Sequence, residues 1–284
     1  MVRTEDGSRA TEWDEVRAAC GSAVSSLRDA LAAVELWRIW WRLGIQDLRL
    51  RFRRTVLGVG WILVQLVVMI LAVGAVYGSL LGQDLHAFLP FLTVGLVVWS
   101  FLTASIVEGG SALIASEGYI KQIGLSIHVY ILRCFVSVSI SAGISFAAYA
   151  ILAAVYRVPV GSGTLWVIPG LVLLGLIGLF FIVIFAHLNA RFRDTAHLAG
   201  VGMQVLFYVT PVLWPAEMLR GRSLGWIVDV NPFYHLLEAV RQPLLSSRPA
   251  TFENYVVGLV VAVCLGVAAS GVVAFYSRRI VFVL

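Results

Sequence analysis

The sequence predicts an all-α integral membrane protein. The expected architecture has six transmembrane helices, an N-terminal amphipathic interface helix, and an external re-entrant helix pair between spans five and six. Three observations carry this. Of the 284 residues, 60% are hydrophobic and only 13% are charged, about half the roughly 25% that a soluble domain carries. Mean hydropathy is +0.91. Several uncharged runs reach the roughly 20 residues that an α-helix needs to cross a hydrocarbon layer about 30 Å thick. A water-soluble chain of this size could bury a core but could not clothe it with so little polar surface.

Taken in order, residues 1–30 form an N-terminal extension of mixed charge, without the apolar core and small-residue end of a cleavable signal. Residues 31–56 read as a helix lying in the membrane interface. Trp37, Trp40, Trp41 and Leu48 fall near helical spacing, with Arg38, Arg42 and Arg49 on other faces. The segment closes on Arg49, Arg51, Arg53 and Arg54, directly before the first long apolar run. The transmembrane domain, 57–284, then holds spans at Leu57–Leu81, Phe88–Val107, Ile131–Val155, Leu165–Ala186, Leu198–Trp214 and Tyr255–Phe275. Each is read as helical because an isolated segment in lipid must satisfy its own backbone hydrogen bonds. Pro211 and Pro215 interrupt the fifth.

Orientation follows from Lys and Arg in the connections. With a cytoplasmic N-terminus, sixteen basic residues fall inside, including Lys121, Arg133, Arg191, Arg193, Arg278 and Arg279. Five fall outside: Arg157, Arg220, Arg222, Arg241 and Arg248. The imbalance places both termini in the cytoplasm.

Catalytic signatures are missing. The single lysine, Lys121, is followed by Gln122 and Ile123, so there is no G-x-x-x-x-G-K-[ST] phosphate loop. Neither H-E-x-x-H nor G-x-S-x-G occurs. His187 and His197 bracket "HLNARFRDTAH" but read as ordinary interfacial histidines, and no metal site is expected. Cys20, Cys134 and Cys264 are too dispersed for a disulfide or zinc framework and read as small apolar fillers. Gln65 and Gln204 stand well inside spans, but no carboxylate is placed there for ion-coupled transport. A transporter built this way would draw its energy from elsewhere.

Three loops are richer than connectors require. Between Glu108 and Arg133, Glu117 and Lys121 stand at i,i+4 spacing, as on a short helix. Arg191, Arg193 and Asp194 form a compact polar knot between spans four and five. The stretch from Phe207 to Leu245 is too apolar for a solvated loop and too broken by prolines for one straight helix. It gathers Phe207, Tyr208, Trp214, Trp226, Phe233 and Tyr234, either an interfacial belt or surfaces for sugar rings. An enzyme reading would rest on Glu217 and Asp229 in that stretch, where the surrounding prolines speak for structure instead.

Five stretches in order carry a resemblance: "LRLRFRRTVLGVGW", "FLPFLTVGLVVWSF", "EGYIKQIGLSIHVYILR", "ARFRDTAHLAGVGMQVLFYVTPVLWP" and "NPFYHLLEAVRQPLL". From about Glu35 onward the chain is similar to the membrane subunits of ABC-2 exporters that move O-antigen, capsule or teichoic-acid polysaccharides. The resemblance implies a homodimer in the bacterial inner membrane, paired with two copies of a separate ABC ATPase. ATP and magnesium would be bound there, and this chain would hold no cofactor and catalyse nothing itself. By the same resemblance Glu117, Gly118, Tyr119, Lys121, Arg191 and Asp194 would meet the ATPase. The interface helix would dock through Trp37, Trp40, Trp41, Arg51, Arg53 and Arg54. Spans one and five would line the path, with Trp61, Tyr77, Phe207 and Tyr208 along it. Trp214, Trp226, Phe233 and Tyr234 would form an outer gate. The implied cargo is a lipid-linked glycan, not a nucleic acid; export of a small molecule or drug is the alternative.

Overall fold

A computed structural model describes residue 29 and residues 31–82, 84–123, 125–220 and 224–283. The expected N-terminal extension therefore lies, but for Asp29, outside the described residues. Every regular element among these is helical. The chain runs α1 (Trp37–Arg51), α2 (Trp61–Leu81), α3 (Leu85–Ser111), α4 (Glu117–Ile123), α5 (Ile127–Val155) and α6 (Val167–Arg191). It continues through α7 (Thr195–Val209), α8 (Glu217–Arg220), α9 (Trp226–Val230), α10 (Pro232–Ser246) and α11 (Phe252–Val283).

Five helices, α2, α3, α5, α6 and α11, are long and apolar enough to cross a membrane. They sit where the uncharged runs lie; α3 and α11 extend beyond both ends of the expected stretch, α5 starts four residues earlier, α6 runs on to Arg191, and α2 begins four residues later, at Trp61. The fifth expected span, Leu198–Trp214, differs. α7 has 15 residues, about 22 Å at 1.5 Å per residue, short of the roughly 30 Å hydrocarbon core. Its end has a local cause: Thr210, before Pro211, is extended (φ −82°, ψ 137°), as the proline ring demands of the residue preceding it.

The expected re-entrant pair is three pieces. α8 and α9 are short, and α10 is a 15-residue helix with Tyr234 through Arg241 buried. α10 packs against α3, α6 and α11, so it belongs to the helix bundle rather than lying over it. Asn231 accepts the Phe233 N–H at 3.0 Å and so caps α10. Pro232 occupies its first turn, where a missing N–H costs nothing.

The core is centred on α3. Leu92, Val94, Val97, Val98 and Leu102 are almost fully inaccessible, packed with Ile177 of α6 and Leu237 and Val240 of α10. α2 and α7, by contrast, turn broad apolar faces outward at Val67, Val68, Leu71, Leu198, Val201 and Val205. A second cluster, with Leu113, Ile120, Tyr130, Ile131, Ile182 and Ala186, underlies α4 at the α1 end of the molecule.

Candidate functional site

Three arrangements stand out along one line through the bundle: a charged junction at the α1 end, a groove along α3, and a buried clamp at the opposite end.

At the junction α1 lies against α5. A side chain at Gly44 would put its Cβ 2.7 Å from Val136 Cγ1 and 2.8 Å from the Arg133 carbonyl, so only glycine permits this approach. One and two turns later, Asp47 and Arg51 point at different helices. Asp47 takes a two-pronged hydrogen bond from the Arg133 guanidinium of α5. Arg51 forks onto Glu108 of α3, its Nη1 donating to Oε1 at 2.7 Å. The Glu108 carboxylate holds the Arg51 guanidinium above its ordinary pKa. Paired forks of this kind fix orientation as well as distance. The covalent route onward from α1 is looser: Arg54 (φ 67°) and Gly58 (φ 55°) are both left-handed in the linker to α2.

The interface-helix residues divide accordingly. Trp37 and Trp41 are exposed, whereas the Trp40 indole N–H donates to the Ala33 carbonyl at 3.1 Å. Arg53 and Arg54 are exposed, and Arg51 is committed to Glu108.

Beyond the junction, Lys121 pairs with Glu117 at 2.6 Å along α4. That bond, with a smaller pull from Arg193, holds the Glu117 carboxyl below its ordinary pKa. The α4 loop and the α6–α7 turn are thus electrostatic neighbours. Tyr119 is exposed and lies 5.7 Å from the Arg133 guanidinium, which ties α4 to the junction. A Cβ on Gly118 would meet open space. Arg191 rests its guanidinium 5.4 Å from the Phe192 ring, and Asp194 precedes α7 without a side-chain cap bond. Asn189 fastens the turn: its amide donates to the Gly110 carbonyl at 2.9 Å and accepts the Ala196 N–H at 3.1 Å. His187 is buried with Nδ1 2.7 Å from the Val183 carbonyl, while His197 is exposed. Among the described residues no group of three or more His, Cys, Asp or Glu could hold a metal ion.

The groove, about 560 Å³, runs between α2, α3 and α7. Met69, Leu96 and Met203 give it apolar walls; Trp99, Phe207 and Tyr208 give it ring faces; Ser100, Thr103 and Gln204 give it polar points. Thr103 Oγ1 is buried without a hydrogen-bond partner among the described residues. Glu108 borders the groove as well as the junction. Trp99, absent from the sequence-based set, is its hub, with ring centroids 5.7 Å from both Phe207 and Phe233.

Of the aromatics expected along a path and gate, Phe207 and Tyr208 line the groove, and Trp214 Nε1 reaches the Tyr208 carbonyl at 3.4 Å. Phe233 sits between Trp99 and Phe181. Tyr234 is 5% exposed, inside the protein, with the Arg220 guanidinium 5.5 Å from its ring. Trp61 and Trp226 are exposed apart from the groove, and Tyr77 packs against the main core. Of the two carboxylates weighed for an enzyme, Asp229 is engaged by Arg220 at 3.1 Å and Glu217 is exposed.

At the far end lies the largest surprise. Arg241, counted among loop arginines on sequence grounds, is 2% exposed, the largest of the fully buried side chains among the described residues. Its Nη1 donates to the Pro211 carbonyl at 2.9 Å and to Glu238 at 3.1 Å, and its Nη2 to the Val212 carbonyl at 3.2 Å. The guanidinium lies 3.8 Å from the Phe91 ring centroid. The signal was present in "HLLEAVRQ", where a Glu and an Arg three residues apart interrupt an apolar run; charges in such a setting demand partners.

The ABC-2 type transporter family model matches residues 38–245. The chain is 24% identical over 239 residues, 82% of its length, to the O-antigen export system permease protein RfbA of Myxococcus xanthus, covering 90% of that relative. It is 22% identical over 202 residues to a protein of the same name from Klebsiella pneumoniae, covering 71% of this chain and 78% of the relative. A second Klebsiella pneumoniae protein of that name is 23% identical over 202 residues, with the same coverage.

Proposed function

Since the chain belongs to the ABC-2 type transporter family, we propose that it is the permease subunit of an ATP-driven exporter that carries a lipid-linked cell-envelope polysaccharide across the bacterial inner membrane. Two copies pair with two copies of a separate ABC ATPase, which binds ATP and magnesium. The permease catalyses no reaction and carries no cofactor of its own. Both termini and the α1 end face the cytoplasm, consistent with the concentration of Arg there.

The observation that carries this reading is the groove. Its ring faces offer weak stacking surfaces for sugar C–H groups, and its hydroxyl and amide points offer hydrogen bonds, with fixed charge in its described lining confined to Glu108 at the junction end, paired with Arg51. A polymer passing through needs many weak contacts and no deep trap. The curated relatives, named as O-antigen export permeases, point to the same cargo class. Motion enters through Glu117, Gly118, Tyr119, Lys121, Arg191 and Asp194, of which all but Glu117 are exposed.

Co-expression with a candidate ABC ATPase from the same organism, followed by reconstitution, tests the proposal. The expected result is a stable complex in which ATP hydrolysis drives a lipid-linked glycan to the opposite face, and in which Trp99→Ala and Phe207→Ala impair movement more than assembly. A permease that purifies alone and stable with no ATPase partner contradicts it. ATP-driven movement of a small amphiphile but no glycan would assign the alternative cargo.

A further inference from the structure

The polar residues of α10 converge on the break after α7. Thr210, Pro211 and Val212 leave the helix inside the protein, each no more than trivially exposed, so their backbone groups cannot turn to water. Asn231 donates to Thr210 Oγ1 at 2.9 Å. Arg241 answers the next two carbonyls, of Pro211 and Val212, with separate nitrogens. Glu238 balances its charge, and Phe91 stacks on its face. Gly95 of α3 leaves the room: a Cβ there would collide with the Arg241 guanidinium and come within 3.0 Å of the Val212 carbonyl.

From this geometry we infer that Arg241, assisted by Asn231, is the positioning residue that fixes the width of the groove at its far end. Phe207 and Tyr208 form the last turn of α7, immediately before the braced break. Trp214, just after it, reaches back to the Tyr208 carbonyl. Phe233, next to the α10 cap, presses on Trp99. The ring wall of the groove is therefore held at both of its edges by α10. Without the Arg241 fork, nothing else among the described contacts satisfies the Pro211 and Val212 carbonyls, and the last turn of α7 loses its fixed distance from α3. The inference rests on the reading that α7 lines the path, but not on the identity of the cargo.

The test is leak. The assembled transporter, permease with ATPase, is reconstituted into phospholipid vesicles loaded with a small fluorescent anion, without ATP. Wild type should hold the dye. Arg241→Lys keeps the charge but loses the planar fork, and Thr210→Val removes the Asn231 acceptor while leaving Arg241 untouched. Losing one or two buried hydrogen bonds shifts the balance between the braced and released last turn of α7 by about tenfold or more, so Arg241→Lys should release dye about tenfold faster and Thr210→Val less. Thermal melting is measured on the same samples. Leak that rises in variants still assembled supports a positioning role. A lowered melting temperature with vesicles as tight as wild type overturns it, because the clamp would then serve stability alone. Should Arg241→Lys fail to assemble, Thr210→Val decides by the same two outcomes. Because the dye is not the cargo, failure of the polysaccharide reading would show in the export assay and leave this result standing.

Discussion

The two ends of the groove are each held by arginine–carboxylate contacts, but the two anchors are built differently. At the α1 end, Arg51 and Glu108 keep 42% and 30% of their side-chain surface exposed, and Arg133 and Asp47 keep 15% and 27%. At the far end Arg241 and Glu238 keep 2% and 11%. Partly exposed pairs contribute less net stability than buried ones and are more open to screening by salt, so they can part and re-form. A buried guanidinium with carbonyl partners, once deprived of one, leaves costly unpaired charge. The same residue types thus make a joint at one end and a fixed clamp at the other.

The comparison breaks most readily at the clamp. Arg241→Met strands the Glu238 carboxylate and two backbone carbonyls in the interior. Loss of one member of a buried pair costs about 3–5 kcal/mol, which should appear as a large drop in melting temperature in detergent. Gly95→Ala attacks the same contact from α3. Overpacking a tight site costs about 1–3 kcal/mol, so a smaller drop is expected, and combining it with Arg241→Met should be less than additive because both act on one contact.

At the joint the expected stability effects are smaller and the functional ones larger. Asp47→Ala leaves the largely buried Arg133 guanidinium without its forked partner and should cost about 1–3 kcal/mol, yet lower the cargo moved per ATP hydrolysed. Asp47→Arg or Arg133→Asp alone should uncouple more strongly, and the double swap should recover much of the loss. Equal loss in single and double variants would mean that Asp47 and Arg133 matter separately and not as a pair. Raising salt from about 0.1 M to about 1 M shortens the screening length from about 10 Å to about 3 Å. Protease access to α1 should then rise in wild type and be already high in Arg51→Gln.

The smallest effect is expected at α4. The Glu117 carboxyl sits below its ordinary pKa because of Lys121. Its folded form therefore binds its proton less readily than the unfolded chain. The stabilisation is present above the ordinary carboxylate range and disappears as pH falls through the lowered value. Helix order at α4, followed by amide exchange, should weaken below that range in wild type and show no such step in Glu117→Gln.

How much of this was legible depended on whether the information is local. The apolar run expected at Ile131–Val155 is a helix at Ile127–Val155, because hydropathy and backbone satisfaction both act within one segment. The Glu117–Lys121 pair was legible for the same reason, the helix itself setting its spacing. The span expected to end at Trp214 stops at Val209 because a proline restricts its predecessor, a rule that "TPVLWP" already carried. Asp47 and Arg133 are separated by 86 residues, and Arg51 and Glu108 by 57, and no periodicity joins residues so far apart. In the sequence Arg51 is one basic residue among four before a span; only packing shows which of them is committed. Arg241 was misplaced because a count of charges by loop assumes that a segment between spans lies outside the bundle. Trp99 was passed over because an aromatic inside an apolar span has no local mark that separates a groove wall from core.

The central claim, a joint at one end and a clamp at the other, can be measured directly with paired spin labels in a variant lacking Cys20, Cys134 and Cys264. One pair, at Arg42 of α1 and Ser111 of α3, reports the joint; the other, at Val209 of α7 and Ser246 of α10, reports the clamp. Both are read by electron–electron distance in the assembled transporter, with and without ATP turnover. The account predicts that the α1–α3 distance shifts or broadens during turnover while the α7–α10 distance keeps one narrow value. A fixed α1–α3 distance alongside a changing α7–α10 distance would contradict it.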